Sequence, residues 1–74
     1  MKAYKNSKGV ILAVFKDDTG KYSVYQRKDE KSDFLRLKAA HYPLRDTREE
    51  AERDMAWQVF QRKDSTYKKI DFKG

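Results

Sequence analysis

Residues 9–28, GVILAVFKDDTGKYSVYQRK, leave the chain less conformational freedom than any other stretch. An apolar, β-branched and aromatic run over residues 10–16 meets Asp17-Asp18-Thr19-Gly20, and an alternating segment follows over residues 21–28. This pattern predicts a β-hairpin whose type I turn closes on a glycine in the left-handed region. Such a turn adds a bulge and pairs Val14 with Val24. Side chains alternate across a strand, so the register places Val10, Leu12, Val14, Tyr22 and Val24 on one face. Ile11, Ala13, Phe15, Ser23, Tyr25 and Arg27 fall on the other.

Residues 34–38 alternate again, with Leu35 and Leu37 on one side and Phe34, Arg36 and Lys38 on the other, which predicts a third strand. AAHYPLRD reads as a connector, because Pro43 disfavours helical geometry at Tyr42. TREEAERDMAWQVFQRK predicts a helix: Thr47 is the N-cap, Glu50 completes a capping box, acids crowd the first turn, and Arg62 and Lys63 close the far end. Ala51, Met55 and Val59 form an apolar stripe flanked by Ala56 and Phe60, and this stripe should lie on the sheet. Trp57 falls nearly opposite. The tail TYKKIDF, with Tyr67, Ile70 and Phe72 in extended-like spacing, is expected to cover it, a partner or dimer surface being the alternative. The expected fold is a single small α+β domain over residues 1–74. Its three-stranded antiparallel sheet packs on one α-helix (βββα), and an extended C-terminal tail or short strand closes the chain.

A domain of 74 residues buries only ~60% of its unfolded surface, so one sheet-plus-helix core is the ceiling. The absence of cysteine removes a disulfide framework and a thiolate nucleophile and points to a reducing compartment, the cytoplasm. The longest apolar run, residues 10–15, falls far short of the ~18 residues of a membrane span, and no leader is evident. Catalytic chemistry is not expected either. His41 has no second histidine or cysteine to share a metal, and Ser23 and Ser65 lack a base. Glu49, Glu50, Glu52 and Asp54 are interleaved with Arg48 and Arg53 as a solvated helix face. The three glycines form no phosphate-cradling loop. The reading is therefore a non-enzyme with no cofactor and no metal.

Charge is unevenly spread. Residues 1–38 carry ten Lys and Arg against five acids, while residues 39–64 carry five against six. The hairpin half thus makes most of the positive field of a chain with net charge +6. With the helix on one face of the sheet, the other face would present basic and aromatic side chains to solvent, a composition suited to nucleic acid, DNA more than RNA. Lys16, Lys21, Arg27, Arg36 and Lys38 are the expected phosphate contacts, and Tyr25 and Phe34 the stacking or bracing rings. The alternative is a protein-interaction or homodimerising module, of bacterial or phage type, using Ile11, Phe15 or Trp57.

The order of motifs resembles the plant APETALA-type DNA-binding domains and the arm-binding domains of phage and transposon integrases. Gly20, Lys21 and Tyr22 take the place of the glycine-lysine-tryptophan that opens strand two there. Asp46, Thr47, Glu49, Glu50 and Ala51 match the helix entry, and Ile70-Asp71-Phe72 stand near the end. The resemblance implies three strands followed by one helix, with the sheet in the DNA major groove. Tyr22 replaces the tryptophan, no glycine precedes the helix entry, and strand one carries Val10-Ile11-Leu12 where DNA-reading members have arginines.

Overall fold

The computed structural model describes residues 1–37 and 43–73. In chain order it contains β1 (Lys2–Lys5), β2 (Ile11–Lys16), β3 (Tyr22–Arg27), β4 (Leu35–Arg36), α1 (Arg48–Gln61) and β5 (Lys68–Asp71). The strands form one antiparallel sheet in the order β4-β3-β2-β1-β5, and α1 packs on one face across β2 and β3. The α+β class and the single helix follow the sequence reading. The sheet, however, has five strands rather than three.

The central hairpin has the expected register, Val14 opposite Val24. Gly20 sits at φ +83°, and the Asp17 carboxylate accepts hydrogen bonds from the Thr19 N–H (2.9 Å), the Thr19 hydroxyl (2.6 Å) and the Lys21 N–H (3.0 Å). A second turn of the same build, Asn6-Ser7-Lys8-Gly9, joins β1 to β2. Gly9 lies at φ +87°, and the Asn6 side-chain oxygen accepts from the Lys8 and Val10 N–H groups at 3.0 and 2.9 Å. In both turns a short polar side chain satisfies the N–H groups at the bend, and the glycine takes the conformation a Cβ would strain.

Asn6 is buried, and its amide donates to Asp64 at 3.3 Å while the Ser7 N–H donates to the Thr66 hydroxyl at 3.0 Å. These bonds dock the first turn on the loop before β5. From there β5 runs antiparallel to β1, with Ala3 opposite Ile70, and the Met1 ammonium closes on Asp71 at 2.7 Å. The tail expected to cover Trp57 is thus an edge strand instead. The reason is backbone chemistry: an open edge of β1 would leave a row of N–H and C=O groups unpaired, and lying on an indole satisfies none of them.

Thr47 caps α1 as expected, accepting from the Glu50 N–H at 3.3 Å, while its hydroxyl donates to the Glu50 carboxylate at 3.0 Å. Ala51 and Met55 are fully buried against Leu12, Val14 and Val24, with Val59, Tyr4, Tyr22, Leu37 and Tyr67 around them. Two details differ from the sequence reading. Arg62 and Lys63 lie beyond the last turn; Arg62 is the C-cap, and its guanidinium donates to the Tyr67 hydroxyl (2.7 Å) and to Gln26 (2.6 Å). Phe60, which flanks the stripe, points outward at 78% exposure and stacks on Trp57, itself 56% exposed.

Candidate functional site

The sheet face away from α1 carries the residues singled out for binding, but it is not bare. Ala3 and Ala13 are cross-strand partners and both are buried, as is Ile11. Two alanines side by side leave a hollow in the middle of the face. Phe34, on the approach to β4, and Phe72, just past β5, fill it. Their rings meet edge to face at 5.5 Å, Phe34 meets Phe15 at 4.9 Å, and Phe15 meets Tyr25 at 5.4 Å. The Arg27 guanidinium lies 5.0 Å from the Phe34 centroid and 5.3 Å from that of Phe72, a cation–π sandwich. Its Nε is buried without a hydrogen-bond partner among the described residues. The expectation of an open ring-and-cation face is therefore corrected: the chain's own rings roof its centre, because the small cross-strand pair cannot.

The structure divides the residues named from sequence. Tyr25, Phe34 and Arg27 belong to this second cluster and are half-buried. Lys21 is ion-paired with Asp46 at the entry to α1. Lys16 ends β2 and is exposed, and exposed Arg36, opposite Tyr25, reaches the Ser23 hydroxyl at 3.4 Å. Lys38 and His41 lie outside the described residues. Of the residues named for a protein interface, Ile11 is 4% exposed and Phe15 half-buried, so only Trp57 presents an open surface.

Two cations that the sequence reading did not single out gain prominence. Lys5 and Lys68 are exposed and directly opposite each other in the β1–β5 register, on the face that holds Ala3 and Ile70. Ser7, Ser65 and Thr66 line the cleft beside them. Neither lysine side chain makes an ion pair or hydrogen bond with a described residue. Like charges directly opposite across a strand pair destabilise it. Their juxtaposition is visible only once the two termini are paired, which is why local pattern could not find it.

Six of the aspartates, meanwhile, are engaged elsewhere. Asp17, Asp29 and Asp64 accept from the residues that follow them in their own turns. Asp46 pairs with Lys21, Asp54 with Arg45, and Asp71 with the N-terminus. Hydrogen bonds from the Thr19, Ser32 and Thr66 hydroxyls hold the carboxyls of Asp17, Asp29 and Asp64 below their ordinary 3.8. Lys21 and the N-terminal ammonium do the same for Asp46 and Asp71. A carboxyl whose pKa falls on folding contributes stability that is fully present above its unfolded pKa and is lost as pH drops through the folded one. Thermal unfolding followed by circular dichroism is accordingly expected to give a constant Tm from pH 7 to about pH 5 and a falling one below about pH 4. A Tm that held or rose on acidification to pH 3 would contradict this assignment.

Among the described residues, no three His, Cys, Asp or Glu side chains gather as metal ligands would, and no helix is long and apolar enough to cross a membrane. Compared with known proteins, the chain matches no family model, no curated protein and no solved structure.

Proposed function

We propose that this domain binds the phosphate backbone of nucleic acid through the rim of the sheet face opposite α1. The observation that carries the reading is the in-register pair Lys5 and Lys68: two like charges at a site where folding gains nothing from them. A phosphate between them converts that repulsion into two charge-assisted contacts. Arg36 on β4 extends the cationic rim, whereas Lys16 lies on the α1 side of β2 with Leu12 and Val14, and no described acid neutralises Lys5 or Lys68. The rings of Phe34 and Phe72 act as the rigid floor of this rim rather than as stacking platforms.

Dimensions favour contact along the backbone over entry into a groove. Four inter-strand steps make a five-stranded sheet about 19 Å across, against a major groove about 12 Å wide. Such a sheet rests on phosphates and reads few base edges, which leaves binding electrostatic and sequence-tolerant.

Fluorescence anisotropy with labelled duplex and single-stranded oligonucleotides tests this. With about three phosphates engaged, log affinity for duplex is expected to fall against log salt with a slope of about −2.7. Lys5→Glu and Lys68→Glu should each flatten the slope by about 1. Lys68→Glu should also raise Tm, since it replaces a repulsive cross-strand pair with an attractive one. Gain of stability with loss of binding is the signature of a cation held for a ligand. The absence of binding to either oligonucleotide at low salt would overturn the proposal.

A further inference from the structure

The outer face of α1 carries two large rings that no described residue of another element covers. Trp57 and Phe60 stack at 5.8 Å with their planes 22° apart, yet 56% and 78% of their surfaces remain open to solvent. Exposed aromatic pairs of this kind are typical of interface centres, where Trp is over-represented among residues that dominate binding. The charges around them identify the occupant.

Along this face Glu49, Arg53, Ala56 and Phe60 follow one another at steps of four, three and four, the spacing of a helix–helix seam, and Lys63 stands two residues past the helix end. All five are exposed. The side chains of Glu49, Arg53 and Lys63 make no ion pair or hydrogen bond with a described residue. The stripe is self-complementary when reversed. With a two-fold axis at Ala56, Glu49 of one copy, about 10 Å from the axis, comes opposite the end of the other copy's helix, which Lys63 follows. Arg53 comes opposite the Phe60 and Trp57 rings, where a cation is attracted to the aromatic faces. Ala56 meets its own copy, and two small side chains let the helices approach closely. The acidic first turn and the basic residues past the last turn are thus matched end to end.

We infer that the outer face of α1 is an antiparallel homodimer interface, with Trp57 and Phe60 at its centre and two symmetric Glu49–Lys63 contacts at its ends. In this arrangement both sheet faces point away from the axis and remain uncovered. Self-association is therefore independent of the nucleic-acid reading and is measured without any oligonucleotide.

Sedimentation equilibrium of the full chain in about 0.15 M salt, where the Debye length of about 8 Å screens the +6 charge of each copy, is expected to show a monomer–dimer equilibrium below about 1 mM. Trp57→Ala should weaken dimerisation at least ~10-fold. Glu49→Lys and Lys63→Glu should each weaken it, and the two together should restore it to within about two-fold of the parent. All these positions are exposed, so each variant is expected to fold, and circular dichroism checks this. A concentration-independent monomer up to about 1 mM would overturn the inference in favour of a different partner. A dimer indifferent to Trp57→Ala, or a charge exchange that fails to restore association, would overturn this antiparallel arrangement.

Discussion

Leu12→Ala is expected to lower Tm by about 10–30 °C. Leu12 is completely buried between the β2 and β3 valines and Met55 of α1, so truncation leaves a cavity that neither a strand nor a helix can collapse into. Removing such a side chain costs ~2–5 kcal/mol, and each kcal/mol shifts Tm by about 4–8 °C in a domain this small. Total stability for 74 residues is only about 4–11 kcal/mol at the usual value per residue, so this one side chain accounts for a large fraction of it. Leu35→Ala is the control: Leu35 is 70% exposed, and its loss should stay within about 0.5 kcal/mol. Equal effects at the two positions would mean that α1 is not seated where the structure places it.

The second large effect is expected at the roof of the opposite face. Phe34→Ala and Phe72→Ala should each cost about 2 kcal/mol, roughly half of a fully buried Phe→Ala, because both rings are half-buried. The double variant should cost less than the sum by about 0.5–1.5 kcal/mol, since each ring is the other's edge-to-face partner and both hold the Arg27 guanidinium. Amide shifts of Ala3, Ala13 and Arg27 should move in either single variant. Strict additivity, measured by urea unfolding of the four proteins, would mean that the two rings do not meet over the alanine pair.

These two sites differ in how visible they were from the chain alone. The Leu12 core rests on alternation in the central hairpin, on the glycine that sets its register and on the helical stripe of Ala51 and Met55, all signals that act within a few residues. The Asn6–Gly9 turn was equally legible in kind, since N-x-x-G repeats the D-x-x-G of the second turn, and recognising it would have found β1. The roof was not legible. Phe34 reads as one more alternating residue of a third strand, and Phe72 as part of a tail, until Ala3 and Ala13 are seen side by side with a hollow above them. The same holds for the candidate site: Arg36 stands out by local charge and alternation, whereas Lys5 and Lys68 are 63 positions apart and become a pair only through the β1–β5 ladder. Trp57 shows the reverse case. Its position off the apolar stripe is plain in the sequence, but the expected tail cover does not form, because the tail pairs with the open edge of β1 instead.

Two turns, a register, a capped helix and its apolar stripe were written into the amino-acid order, because each arises from steric and hydrogen-bonding preferences that span four to eight neighbouring residues. The number of strands, the cover on the second face, the pairing of Lys5 with Lys68 and the exposure of Trp57 came from tertiary assembly. Each depends on which distant segment satisfies an open sheet edge, as when the Phe72 N–H donates to the Met1 carbonyl at 2.8 Å, and no short-range preference encodes that choice.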